Sequence, residues 1–335
     1  MPLEHNVSLK SYNTFGIEVT AANLLRVDSP QVLRQQLHHL PKPWMILGGG
    51  SNVLFTDNFP GTIIKNEIRG RDVLREDQIH VWVKLGAGEN WHQAVLWAIE
   101  NSWGGIENLS LIPGTVGAAP MQNIGAYGVE LSSVFESLEA LDLQSGSLHT
   151  FDAQQCQFDY RYSVFKGALK GQFMILSVIL RLSKEPQFNT SYGALKDTLE
   201  DMGVQEPTLK AVSDAVIKIR QSKLPDPQII GNAGSFFKNP SIPSSQFQKL
   251  KQANPDLPGY PINEDSVKVP AGWLIERCNW KGIRQGAIGV HDQQALVLVN
   301  HGGGNGKDLR RLARDIQASV KDTFGIELSP EVNII

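Results

Sequence analysis

Between Asn108 and Val129 the chain runs for 22 residues without a charged side chain. Pro113 and Pro120, together with Gly114, Gly117, Gly125 and Gly128, break any helix long enough to span a bilayer. A loop this long inside a folded chain is either a binding segment or buried. So few large side chains suggest main chain lying against something large, flat and partly apolar. The carboxamides of Gln122 and Asn123 are then placed to meet that ligand's hydrogen-bonding edge. A buried loop wedged between lobes is the alternative reading of the same composition.

At 335 residues the chain exceeds the usual single-domain size, so two or three lobes are expected. Its composition, 41% hydrophobic and 19% charged, is that of a folded globular chain. With 31 basic against 34 acidic residues the formal charge is −3, which offers no general field for a polyanion, so nucleic acid is not an expected partner. Cys156 and Cys278 form no CxxC, and the eight histidines show neither HxH nor HExxH spacing, so neither a disulfide framework nor a metal site is expected. With no apolar leader and no long apolar run, a cytoplasmic protein without a membrane span is expected.

The apolar run Trp44–Leu47 reads as a strand that stops at Gly48-Gly49-Gly50 and resumes at Val53-Leu54-Phe55. From Gln78 to Leu85, Ile79, Val81, Val83 and Leu85 alternate with His80, Trp82 and Lys84, predicting a strand with one buried face. A helix over Trp91–Ser102, capped by Asn90, shows Val95, Leu96 and Ile99 on one face. Further helices are predicted over Leu209–Arg220, with Val212, Val216 and Ile219 on one stripe, and over Lys307–Phe324, before a short terminal strand. Arg310, Arg311 and Arg314 on that last helix alternate with Asp308 and Asp315, which is a solvated face.

Three further segments carry chemistry. In Leu47-Gly48-Gly49-Gly50-Ser51-Asn52, missing side chains let backbone N–H groups close on an anion, or simply form a tight turn. Neither a Rossmann fingerprint nor a Walker lysine accompanies it. In Gly231-Asn232-Ala233-Gly234-Ser235-Phe236-Phe237 a serine lies between small and aromatic residues, as a reactive pocket or a plain turn, and it is no nucleophile elbow. Glu331 shares a strand face with Asn333 and Ile335; burial there raises a carboxyl pKa, whereas most glutamates stay exposed. Arg220 and Lys223 lie at a helix end, where basic groups also complement the dipole.

Taken in order, Asn13-Thr14-Phe15-Gly16, LGGGSNVLF (47–55), GAGENW (86–91), IPGTVGAAPMQNIGAYG (112–128), FDYRYSVFK (158–166), KLPDP (223–227), GNAGSFFKNP (231–240) and PEV (330–332) resemble the UDP-N-acetylenolpyruvoylglucosamine reductase (UDP-N-acetylmuramate dehydrogenase) family. The match spans nearly the whole chain.

The resemblance implies an α+β fold. A two-lobed FAD-binding domain of the vanillyl-alcohol-oxidase-like (PCMH-type) fold, lobes 1–67 (joined by strand 328–335) and 68–218, precedes a substrate-binding lobe over 219–327. It also implies non-covalent FAD, NADPH as co-substrate, UDP-N-acetylglucosamine enolpyruvate as substrate, a role in peptidoglycan synthesis, and a monomer. By residue, it implies cofactor contacts at Gly48, Gly49, Gly50, Ser51, Asn52, Gly114, Gly117, Gln122, Asn123, Gly125 and Tyr127. Arg161, Ser235 and Glu331 take the catalytic positions, with hydride passing from flavin N5 to the enolpyruvyl terminal carbon. Tyr192, Lys223, Asn239, Tyr260, Lys268, Lys281 and Gln294 match the substrate-gripping positions, and Arg220 is grouped with them. The Ser191-Tyr192-Gly193 loop assigns the chain to the subclass that has it. Ala118-Ala119 stands where some relatives carry hydroxyls, so backbone donors are expected to take over there.

A flavin oxidase of the same broad fold, and a nucleotide-sugar binding module without turnover, are the competing readings. Rapid reoxidation by air marks the first, and a colourless protein that binds UDP-sugars marks the second.

Overall fold

The run Trp44–Leu47 forms a strand as expected and pairs in parallel with Phe59–Asn66, which pairs in parallel with Thr20–Val27; Glu4–Ser8 completes a four-stranded sheet. The second sheet has five antiparallel strands in the order Leu148–Asp152, Phe135–Asp142, Phe173–Ser183, His80–Gly86 and Arg71–Glu76. Leu25, Val27 and Ile64 of the first sheet share one core with Leu141, Met174 and Leu176 of the second, so the two sheets are welded by burial.

This computed structural model describes residues 2–335, and its contacts divide the chain into two units. The first comprises the segment ending at Val7 with Ala21–Gly50 and Phe59–Ser222; the second comprises Ser8–Thr20, Ser51–Asn58 and Lys223–Ile335. The expected cuts at 67/68, 218/219 and 327/328 differ from this division, because two excursions of the N-terminal region pack with the C-terminal chain. Asn232 N–H donates to Thr14 O at 3.0 Å, and Asn300 Nδ2 donates to Phe15 O at 2.8 Å. The terminal strand Asn333–Ile334 pairs in parallel with Val53–Leu54, so it does return to the first 67 residues, but within the second unit. That unit also holds the antiparallel sheet Gly231–Ser235, Val297–Asn300, Ile288–Val290, Arg284–Gln285, and a smaller one of Ser241–Pro243, Ser266–Lys268 and Tyr260–Pro261. The helix Gly306–Phe324 buries Leu309, Leu312, Ile316 and Val320, and Arg310, Arg311 and Arg314 face solvent.

Two predicted faces change. In the strand His80–Gly86, Ile79 lies just outside and is 48% exposed, while Trp82 is buried to 7% because the Arg75 guanidinium covers its ring at 3.6 Å. The helix Trp91–Glu100, capped by Asn90 Oδ1 on Gln93 N–H at 3.0 Å, buries Trp91, Ala94, Val95 and Ala98 more completely than Leu96 and Ile99. Trp91 is the larger anchor, so the buried stripe is centred on it.

Glu139 on the second sheet accepts from Ser177 Oγ at 2.9 Å and pairs with Lys84. The Lys84 hydrogen bond first, then Ser177, hold its carboxyl below the ordinary 4.5. The pair therefore contributes stability above that value, lost as pH falls through and below it. Partial exposure keeps the contribution small. Melting followed from neutral pH into acid should show Glu139→Gln with a lower neutral melting temperature and a flatter acid limb. Parallel acid limbs in the two proteins would show that the pair contributes nothing.

Candidate functional site

In the first unit the strand Trp44–Leu47 ends in a glycine turn that abuts the charge-free segment. A Cβ on Gly49 would lie 2.8 Å from Gly114 Cα, and one on Gly48 would lie 2.6 Å from Thr115 Oγ1. Gly50 and Gly114 adopt φ of +66° and +119°, which a side chain disfavours. Lys65, between buried Ile64 and Asn66, donates from Nζ to Gly48 O at 2.7 Å, and burial lowers its pKa. A lysine in the run Thr62-Ile63-Ile64-Lys65-Asn66 was the available sequence signal for this cation. Ser51 and Asn52 follow in the chain but belong to the second unit.

Along the charge-free segment the small residues divide their tasks. Gly117 is required by the protein itself, since a Cβ there would meet Ala87 Cβ at 2.6 Å. The N–H groups of Gly117, Ala118 and Ala119 are bonded to Ala87 O, Thr115 O and Val116 O at 2.8, 3.0 and 3.1 Å. The backbone donors expected beside Ala118-Ala119 are therefore spent inside the protein. The Asn123 carboxamide, expected at a ligand edge, is also spent: Nδ2 donates to Glu130 Oε2 at 2.8 Å and Asp159 O at 3.4 Å, and Oδ1 accepts from Ser132 N–H at 3.0 Å. Buried to 1% and left-handed at φ +44°, Asn123 shapes the loop. Gln122 Oε1 accepts from Lys166 Nζ at 3.2 Å.

Arg161 is held in a left-handed conformation at φ +53°, and its Nη2 donates to Gly125 O at 2.7 Å. A Cβ on Gly125 would approach its Nη1 to 3.1 Å. Tyr127, at φ +48°, is hydrogen-bonded to Arg220, and its ring meets Tyr192 edge-on with centroids 5.5 Å apart. Burial raises the phenol pKa while the Arg220 charge opposes it. Burial likewise lowers that of Arg220, on which the Arg161 charge acts in the same direction. Arg161, Arg220, Tyr127 and Tyr192 are thus drawn together. Leu111, Asn123, Tyr127 and Arg161 all have positive φ, and such strain concentrates at working sites.

Sequence reasoning missed the residues that support this group. Asn108, fully buried, donates to Tyr127 O at 2.9 Å and Asn189 O at 2.8 Å, and Asn189 Nδ2 donates to Gly128 O at 3.0 Å. These bonds tie the Tyr192 loop to the charge-free segment across 81 positions of chain, a distance no local pattern encodes.

In the second unit, Gly234 at φ +67° and a bulge between Asn232 and Ser235 leave Ser235 half-buried. Glu331 N–H donates to Phe236 O at 2.8 Å, Lys238 N–H donates to Ser329 O at 2.9 Å, and Phe237 bridges Pro330. Half-buried Glu331 is therefore seated against Phe236, the residue that follows Ser235, while Ser235 itself pairs with Val297. Asn52 Nδ2 donates to Glu331 O at 3.3 Å.

Asn239, Tyr260, Lys268 and Gln294 gather at the start of the helix Ala271–Arg277. Asn239 Oδ1 accepts from Ala271 N–H at 3.0 Å, Tyr260 pairs with Lys268 in register, and Gln294 Oε1 lies 3.1 Å from where a Cβ on Gly272 would stand. Lys281 is ion-paired with Glu276 at 2.9 Å, and Lys223 is exposed at its helix end.

Residues 226–335 match the family model "UDP-N-acetylenolpyruvoylglucosamine reductase, C-terminal domain", and residues 32–152 match "FAD binding domain". The chain is 52% identical to the UDP-N-acetylenolpyruvoylglucosamine reductase of Amoebophilus asiaticus, covering 100% of both chains. It is 48% identical to that of Pseudomonas aeruginosa, covering 100% of this chain and 99% of the relative. The chain belongs to the UDP-N-acetylenolpyruvoylglucosamine reductase family. The crystal structure of UDP-N-acetylenolpyruvylglucosamine reductase from Thermus caldophilus shares its fold, with a TM-score of 0.69 at 24% identity, covering 100% and 99% of the two chains. The α+β class is therefore as expected, and the chain is an oxidoreductase.

The first unit fits FAD on two observations. The approach of Gly49 to Gly114 leaves a main-chain surface without side chains, and the Lys65 ammonium sets one positive charge at that turn. Peptide dipoles and a single cation are the donor chemistry that a diphosphate takes. No helix among the described residues is long and apolar enough to cross a membrane.

Proposed function

We propose that this chain carries out the NADPH-dependent reduction of UDP-N-acetylglucosamine enolpyruvate to UDP-N-acetylmuramate, as a cytoplasmic monomer in peptidoglycan precursor synthesis. The observation that carries this reading is the backbone pairing that seats Glu331 against Phe236, next in the chain to Ser235, inside the C-terminal domain characteristic of this family. The proposal retains three lobes: two hold FAD through Gly48–Asn52, Gly114, Gly117, Gln122, Asn123, Gly125 and Tyr127, and the third binds substrate. At Gly117 and Asn123 the contribution is the shape of the main chain, because the Gly117 N–H and the Asn123 carboxamide are engaged within the protein.

An enolpyruvyl ether is electron-rich, so it accepts hydride only if the carboxylate beside the double bond is made to withdraw charge. FAD held by those glycine turns would supply the hydride, with NADPH as the reductant. Arg161, permanently cationic and held by Gly125 O, offers a fork to the substrate carboxylate. Glu331 in its acid form donates a hydrogen bond to the developing enolate, and both interactions grow as charge develops. Ser235 then gives its hydroxyl proton to the carbanionic carbon, a transfer that prepositioning makes feasible. Tyr192, Arg220, Lys223, Asn239, Tyr260, Lys268, Lys281 and Gln294 grip the sugar nucleotide, and the diphosphates of substrate and NADPH are taken in turn by the basic groups.

Anaerobic reduction of the yellow protein by NADPH, followed by addition of UDP-N-acetylglucosamine enolpyruvate, is expected to restore the oxidised spectrum. A reduced protein unmoved by that substrate but reoxidised rapidly by air would instead be a flavin oxidase. Glu331→Gln should leave reduction by NADPH intact and slow reoxidation by substrate on the order of a hundredfold, within the range for a lost acid–base group. Unchanged turnover would remove Glu331 from the mechanism.

A further inference from the structure

His92 has no part in the proposed chemistry, yet it lies next to the Leu111 residue that holds Arg220. It sits in the first turn of the helix Trp91–Glu100, and its Nδ1 accepts the N–H of Leu111 at 3.0 Å. Leu111 is itself left-handed, at φ +57°, in a sequence where no glycine relieves it. Its carbonyl accepts from Arg220 Nε at 3.3 Å. Leu111 is thus held through the two peptide units that flank its Cα, and beyond it the Arg220 guanidinium bonds Tyr127 and lies within the field of Arg161.

We infer that His92 is a positioning residue: by holding the Leu111 peptide in its left-handed form, it aims Arg220 at Tyr127 beside Arg161. The acceptor must be a neutral ring, with its proton on Nε2. Burial and then the Arg220 charge lower the His92 pKa, and the N-terminal end of its own helix acts in the same sense. The Leu111 loop contributes no charge, and Glu89, three residues upstream, is ion-paired with Arg71 at 2.9 Å. A protonated ring would lose the lone pair at Nδ1 and repel Arg220. The consequence for the sugar nucleotide rests on the reading of Arg220 as a substrate-gripping residue; the clamp itself does not.

The test is hydrogen exchange at Arg220 Nε–H by NMR on the full chain, the resonance being assigned by its loss in Arg220→Lys. Against wild type, His92→Leu should speed this exchange about tenfold or more, because the carbonyl that protects it turns away. His92→Asn, whose Oδ1 replaces Nδ1 as acceptor, should restore protection. Leu111→Gly should behave as wild type and should rescue His92→Leu in the double variant, since glycine adopts positive φ without strain. In turnover, His92→Leu should raise KM for the enolpyruvyl substrate about tenfold with kcat little changed. If His92→Leu does not fold, His92→Phe takes its place. Exchange that is unchanged in His92→Leu, or still fast when Leu111 is glycine, overturns the clamp. A wild-type protein that does not turn over this substrate sinks the functional reading alone, because the exchange measurement stands without it.

Discussion

Ser235→Ala is expected to bleach its flavin with NADPH as fast as the parent protein does, and then to stay reduced when the enolpyruvyl substrate is added. The hydroxyl is the only group assigned to protonate the carbanionic carbon, and loss of a placed general acid costs on the order of a hundred- to ten-thousandfold. The side chain is half-buried on a bulged strand, and its neighbours Phe236 and Phe237 are packed in the core, so removing one oxygen leaves the fold intact. Stopped-flow spectroscopy of the two half-reactions separates the effects. Equal loss in both would mean that Ser235 serves binding or structure and does not donate the proton.

Gly49→Ala is expected to cost the protein its flavin before it costs the fold. The added Cβ would meet Gly114 Cα at 2.8 Å, and an obstacle made of backbone cannot step aside by changing rotamer. Overpacking of this kind costs about 1–3 kcal/mol, which is within the usual stability of a folded chain. If the strain is relieved by parting the two turns, FAD affinity should fall about tenfold for each ~1.4 kcal/mol so spent. Gly146→Ala is the control: its strain comes from the backbone, at φ +70°, and no atom lies within 4 Å of its Cβ. It should lose a similar amount of stability and keep its cofactor. Full flavin occupancy and unchanged affinity in Gly49→Ala would show that the close approach of the two turns does not build the cofactor surface.

Much of this was legible in the chain. An apolar run ended by glycines found the strand at Trp44–Leu47, and stripes found the helices Leu209–Lys223 and Gly306–Phe324, because a single buried helical face imposes a period that survives in one dimension. The Asn90 cap was readable for the same reason, its partner being three residues away. What failed was the assignment of tasks to small and polar residues within a segment. Composition marked 108–129 as side-chain-poor but could not show that Gly117 makes room for Ala87 or that Asn123 binds Glu130, Asp159 and Ser132. A glycine that admits a ligand and one that admits a neighbouring turn look alike in sequence.

The order of short motifs by itself determined the family, and the spacing of apolar residues determined which segments are helix and which are strand, since both properties are local. Only the folded chain decided which residues meet. It bent Leu111, Tyr127 and Arg161 into left-handed backbone, seated Glu331 against Phe236 from 95 positions away, and linked His92 to Arg220 through Leu111. Those contacts are closed by long-range packing, whose free energy outweighs the local preference of each residue.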